Sequence, residues 1–168
     1  RNYGYAVDRA GQVAALLLLA CGMGMVVCGM VSDRVAQQRP ERKISLAIAY
    51  CIGTAASLAL AMAFPAGVVQ LALIGLAMFL VAGTTGPAGA MVANLTPLAI
   101  HGSAFATLTL ANNLIGLAPG PILTGRVADA LGLAGAFRIL PLSCIAAAFT
   151  FAAMSRSYLA DLATAKGT

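Results

Sequence analysis

The chain has 168 residues, of which 61% are hydrophobic and only 9% carry a charge. About a quarter of the residues of a soluble domain are charged, so this composition excludes an ordinary water-soluble domain. The net charge of +5 does not indicate a nucleic-acid partner, because no basic stripe is interleaved with aromatic residues and four basic residues cluster between apolar stretches, at Arg34, Arg39, Arg42 and Lys43.

Three long runs contain no Asp, Glu, Lys or Arg, at residues 10–32, 44–125 and 139–155. Bilayer hydrocarbon is about 30 Å thick and a helix rises about 1.5 Å per residue, so roughly 20 apolar residues cross it. The middle run has room for three such spans and each other run for one. Because lipid offers the backbone no hydrogen-bond partner, the predicted fold is an all-α integral membrane bundle of five transmembrane helices.

Breaks in hydropathy place the five elements along the chain. The predicted spans cover about residues 12–31, 44–64, 67–95, 104–125 and 137–154, and a basic loop covers 32–43. Only Pro65 and Ala66 separate the second span from the third, so we expect these two spans to form a tight antiparallel hairpin. The third span is longer than hydrocarbon requires, so we expect it to tilt or to break within Gly83–Pro87.

The distribution of Lys and Arg predicts the orientation. The excess of basic residues at 32–43 places that loop in the cytoplasm, the N-terminus outside and the C-terminus inside a multi-pass cell membrane protein. The chain begins with Arg1 rather than Met, so we expect further sequence upstream.

An internal repeat relates the first and fourth spans. When Asp33 is aligned with Asp129, both segments end in Gly-x4-Gly-x-Val-x-Asp. The two copies run in opposite directions under the predicted topology. Many secondary transporters are built from such inverted repeats.

The segment Gly29-Met-Val-Ser-Asp33-Arg34, with the basic run behind it, resembles the Gly-x3-Asp-Arg loop signature of the major facilitator superfamily. Residues 116–125 resemble the eleventh helix of that family, and 97–132 look closest to Spinster-like members. The resemblance implies that the chain is helices eight to twelve of the C-terminal half. The chain departs from the family pattern at Ala36-Gln37-Gln38, where the family carries basic residues, and at His101, where many relatives carry Arg.

This resemblance implies a secondary transporter that moves a small organic or amphiphilic solute by alternating access. Its partners would be the lipid bilayer, the missing N-terminal half and the missing seventh helix, and it needs no cofactor. Gly29, Asp33 and Arg34 would form a conformational loop in which the carboxylate lies against the positive end of a helix in the missing half. Alternatively, Asp33 is a solvated charge that only sets topology.

Small and polar residues mark the candidate substrate cavity. Thr109, Asn112, Asn113 and Gly116 recur on one face of the fourth span, and unpaired amides are costly against lipid. They either line a cavity or bind neighbouring helices, and Gly120, Pro121 and Gly125 are read as helix-packing residues. Thr84 and Thr85 either border a polar path or repair a kink.

Catalytic and metal sites are not indicated. The four cysteines form no CxxC pair, and no paired carboxylates, Ser/His pair or HExxH motif occurs within the spans. No charged residue lies at membrane depth, so any ion-coupling carboxylate belongs to another part of the transporter. The alternative function is a non-transporting membrane module or an assembly partner of another polytopic protein.

The membrane assignment predicts that the purified chain stays dispersed only in the presence of detergent. It also predicts that protease added to intact membranes leaves residues 44–64 uncut, because lipid shields that span. Mass spectrometry of the digested membranes measures the protection. A monodisperse chain in detergent-free buffer, or ready cleavage within 44–64, contradicts the assignment.

Overall fold

The structure is a computed structural model that describes residues 6–38 and 42–165. These residues are helical apart from short turns, and no strand occurs among them. The predicted all-α architecture is therefore confirmed for this part of the chain. The helices are α1 (Val7–Gln38), α2 (Arg42–Ala63), α3 (Val68–Ala82), α4 (Thr85–Leu95), a 3-10 turn (Leu98–Ile100), α5 (His101–Ala111), a π-helical segment (Asn112–Leu117) and α6 (Pro119–Ala165).

Among the described residues, four helical stretches are long and apolar enough to cross a membrane, judged by length and composition. They are Val7–Val35, Arg42–Ala63, Val68–Leu95 and Leu98–Ser155. The last stretch contains the predicted fourth and fifth spans. It bends at Gly132, which has a φ of 74° and a ψ of 163° and so lies outside helical geometry. Below, residues 119–131 of α6 are called its first arm and residues 133–165 its second arm.

The predicted loop at 32–43 is mostly helical. Helix α1 continues through Asp33 and Arg34 to Gln38, and α2 begins at Arg42, so only 39–41 of the predicted loop lie outside the described residues. Nothing before Pro40 breaks a helix, and Ala and Gln are good helix formers. The polar segment before the first predicted span is likewise helical from Val7 onward.

The third stretch breaks where the sequence predicted. The N–H of Gly83 donates to the Leu80 carbonyl at 3.0 Å and that of Thr84 to the Val81 carbonyl at 3.2 Å, so the turn tightens to bonds three residues apart. Pro87 has no N–H to offer the Gly83 carbonyl, which prevents a regular α-helix through this point. Helices α3 and α4 are therefore two pieces of one stretch.

Helix α2 lies at the centre of the bundle. It packs against α3 and α6, whereas α1 packs chiefly against α3 and also against α4. At the start of α2, buried Ile44 contacts Met91 of α4 and Tyr158 of α6. The Asn94 amide donates a 3.0 Å hydrogen bond to the Tyr158 hydroxyl, which joins α4 to α6 at the same end of the bundle.

Glycines bring α1 into backbone contact with α3 and α4. A Cβ at Gly24 would clash with the Phe79 carbonyl, and a Cβ at Gly83 would lie 2.6 Å from the Cβ of Cys28. Farther along, a Cβ at Gly86 would lie 3.5 Å from the Gly29 Cα. Helices that associate in lipid gain van der Waals contact through such small residues. We call this contact the glycine seam.

Replacement of Gly24 by Ala is expected to destabilise the bundle by about 1–3 kcal/mol, because the neighbouring atoms are backbone and cannot move aside alone. The measurement is the thermal unfolding midpoint of the purified protein in detergent.

The matched control is Gly22→Ala on the same helix, where an added Cβ meets nothing within 4 Å. It should leave the midpoint unchanged or raise it slightly, since Ala favours helix over Gly. Equal midpoints for the two variants would show that the seam does not hold α1 in place.

Candidate functional site

The polar stripe predicted on the fourth span lies on the surface of the described bundle. Thr109, Asn112, Asn113 and Gly116 are all exposed. The Thr109 hydroxyl donates to the Phe105 carbonyl at 2.9 Å, so its own helix already uses it. Neither amide side chain hydrogen-bonds to another residue of the described ranges. Helix α5 packs against α4, and the two amides follow it at the start of the π-helical segment, whose remaining residues are apolar or Gly.

The helix widens at the two asparagines. Residues Asn112–Leu117 are π-helical, and the Ala118 N–H donates at 2.8 Å to the Asn113 carbonyl, five residues back. Pro119 explains the widening, because its ring would clash with the Ile115 carbonyl in a regular α-helix. Pro119 and Pro121 also lack the N–H groups that would bond to the carbonyls of Ile115 and Leu117. Single π turns of this kind occur frequently at functional sites.

Two of the predicted residues line a cavity between the arms of α6. The cavity measures about 470 Å³, and its polar lining consists of the Thr124 and Ser143 side chains among apolar ones. The full lining is Gly116, Gly120, Leu123, Thr124, Val127, Ala136, Ile139, Leu140 and Ser143. The cavity lies between two helices of one hairpin rather than at the centre of the bundle.

The residues predicted to pack helices closely make no close contact in the described bundle. A Cβ added at Gly120 or at Gly125 would meet nothing within 4 Å, and Pro121 is exposed. It stays a prediction that these residues pack against a helix that is not among the described residues. The tight glycine contacts are at the glycine seam instead.

Thr84 and Thr85 lie level with the polar stripe. A Cβ on Gly89 would be 3.3 Å from the Phe105 ring, which sets the register of the antiparallel α4–α5 hairpin. Thr85 precedes Gly89 by four residues and Thr109 follows Phe105 by four, so the two stand at one height. The Thr84 hydroxyl donates to the Val81 carbonyl at 2.7 Å, which is the kink-repairing role.

The Asp33 carboxylate has a partner within this chain. Lys43 of α2 lies 3.4 Å from it, with side-chain exposures of 75% for Asp33 and 13% for Lys43. Solvent screens the exposed Asp33 carboxylate and so weakens the pair, whereas the largely buried Lys43 ammonium loses its partner when the pair breaks. Gly29 belongs to the glycine seam, and Arg34 is exposed. The sequence contains a signal for this pair, because Lys43 belongs to the basic cluster that follows Asp33.

Three further polar groups lie toward this end of the bundle, and of these only His101 stood out in the sequence. The Ser32 hydroxyl is buried at 1% exposure and has no hydrogen-bond partner among the described residues. The Tyr50 hydroxyl of α2 donates to the Cys28 carbonyl at 3.3 Å. His101 is half-buried, and its Nε2 lies 3.1 Å and 2.8 Å from the carbonyls of Ala93 and Thr96. Because carbonyl oxygens only accept hydrogen bonds, Nε2 must carry the proton. The imidazole then donates to carbonyls at the end of α4.

Comparison with known proteins found no match to this chain among family models, curated proteins or solved structures. Within the described ranges, no three His, Cys, Asp or Glu side chains come together as a metal site would require. The interpretation of the site therefore depends on its own chemistry, in which two adjacent amides are exposed on a widened helix.

Replacement of Pro119 by Ala is expected to narrow the π-helical segment, because the restored N–H can bond to the Ile115 carbonyl. Hydrogen–deuterium exchange in detergent should then be slower for the amides of 114–118 than in the unmodified protein. Pro141→Ala is the matched control: Pro141 lies in the second arm of α6, so its replacement should leave the exchange of the amides of 114–118 unchanged. Unaltered exchange after Pro119→Ala would show that the proline is not the cause of the widening.

Proposed function

We propose that this chain is part of a secondary transporter of the major facilitator type, contributes helices eight to twelve, and moves a small organic or amphiphilic solute by alternating access. The exposed Asn112–Asn113 pair carries this proposal. An unpaired polar group in hydrocarbon costs several kcal/mol, so two adjacent amides would not be left facing lipid. A water-filled path gives both amides partners and offers a solute hydrogen-bonding groups.

The arrangement of the helices supports the same proposal. Helix α5 contacts α4 at one edge of the bundle, and its polar stripe is uncovered. A second half-bundle placed against this edge would enclose the stripe between the two halves. The bend at Gly132 would then separate the fourth span from the fifth, each antiparallel to the other, with the basic end of the bundle in the cytoplasm.

The Asp33–Lys43 pair supports a conformational role for the loop motif. Alternating access needs contacts that are made in one state and broken in the other. A carboxylate that leaves its 3.4 Å pair with Lys43 gains about 0.3–1 kcal/mol when it lies against the positive end of a neighbouring helix. Asp33 would thereby bias the inward–outward equilibrium.

A second candidate function is a membrane module that assembles with another polytopic protein without transporting. The broad apolar surface of α1 favours it, since Leu16, Leu19 and Met23 are each more than 60% exposed. In that case the amides would bind a partner helix and stay dry. The two functions therefore differ in whether water reaches the Asn112 and Asn113 side chains.

Cysteine accessibility distinguishes them. With the four native cysteines replaced, Asn113→Cys is expected to react with a membrane-impermeant maleimide in intact membranes, and the cognate solute should slow the reaction. Ile115→Cys is the matched control, because Ile115 lies two residues on, at the opposite face, and is apolar and 79% exposed. It should stay unreactive against lipid. Reaction at neither position, under any condition, would defeat the cavity assignment.

A further inference from the structure

A second cavity lies between the end of α2 and the second arm of α6. It measures about 390 Å³, is open to the surface and has an apolar wall with one cationic side chain. Its lining consists of Ala59, Met62 and Ala63 from α2, and of Arg138, Pro141 and Leu142 from α6. We call this cavity the Arg138 groove.

The charge of Arg138 is not balanced by a carboxylate within the described residues. The ion pair found there joins Asp33 to Lys43 at the start of α2, a full helix length from the groove. Near the end of α2, the carbonyls of Ala61 and Phe64 accept hydrogen bonds from the Gln70 amide, at 3.1 Å and 3.3 Å, and no hydrogen bond joins the Arg138 side chain to another described residue. The guanidinium is therefore available to an anion from outside.

The groove opens at the level of a membrane surface. Helix α2 has 22 residues and so spans about 33 Å, roughly the thickness of bilayer hydrocarbon. Its last turn forms one wall of the groove, just before the Pro65 turn, and Arg138 follows the Gly132 bend by six residues. Leu60 and Leu142 are 50% and 62% exposed beside it. The guanidinium at this level suits the phosphate of a lipid, and the apolar wall below it suits an acyl chain.

We propose that the Arg138 groove binds an anionic glycerophospholipid, with the phosphate on the Arg138 guanidinium and an acyl chain along Met62, Pro141 and Leu142. Arginine suits this ligand, because its planar fork can donate two hydrogen bonds to one phosphate and is weakly hydrated. The lipid would fill the space between α2 and α6. This proposal depends on the bundle being embedded in a membrane and not on transport.

Lipid retention tests the proposal. The purified protein is reconstituted with equal amounts of phosphatidylglycerol and phosphatidylcholine, returned to detergent, and analysed by native mass spectrometry for bound lipid. The unmodified protein should retain phosphatidylglycerol preferentially. Arg138→Gln should lower its retention about fivefold, toward that of phosphatidylcholine, as expected for one basic residue near a membrane surface. Ala59→Trp should lower retention of both lipids, because the indole fills the groove.

Arg126→Gln is the matched control, since Arg126 lies on the first arm of α6 and outside the groove lining. It should retain phosphatidylglycerol as the unmodified protein does. Equal losses for the two arginine variants, or no loss for Arg138→Gln, would overturn the proposal. Displacement of the lipid by soluble glycerol phosphate would also overturn it, because the acyl chain would then contribute nothing. These outcomes are independent of maleimide reaction at residue 113, so failure of one proposal is distinguishable from failure of the other.

Discussion

Most hydroxyl groups of this bundle are satisfied by the helix that carries them. Thr54, Thr109 and Thr150 each donate to the carbonyl four residues back, at 2.8–2.9 Å, and Ser143 donates to the one three residues back at 2.7 Å. In an apolar environment an unpaired donor is expensive, so a helix that uses its own carbonyls can face lipid on any side. The polar groups that escape this rule are the ones available for contacts between helices or with a solute.

Two kinds of contact then hold the helices together. On one side, the glycine seam brings α1 against α3 and α4 at backbone distance, which gains dispersion energy where no hydrophobic effect operates between helices. On the other, the Asn94–Tyr158 hydrogen bond and the apolar cluster around it join α4, α6 and the start of α2. The centre of the bundle, including the second arm of α6, is thus closely packed, while α5 and the first arm of α6 have no buried residue.

This uneven packing separates rigid from adaptable parts. A closely packed seam resists small displacements, whereas a helix with two prolines, a π turn and a cavity at its side can change its hydrogen-bond register at lower cost. The proposed amide stripe falls in the adaptable part, whereas the Arg138 groove lies at the edge of the closely packed part. The amide stripe lies on the π-helical segment, and the Arg138 groove lies where the second arm of α6 meets the end of α2, beside Pro141.

The sequence by itself determined the all-helical class and the break at Gly83–Pro87, because charge-free length and proline act locally along the chain. It misplaced the end of α1, since a polar residue such as Asp33 signals a membrane boundary and not a helix boundary. Only the tertiary structure decided which glycines make close contact: Gly24 and Gly83 do so, whereas Gly120 and Gly125 remain open. Such contacts, like the bond between Asn94 and Tyr158, join residues far apart in the chain, and no local pattern specifies which surfaces will meet.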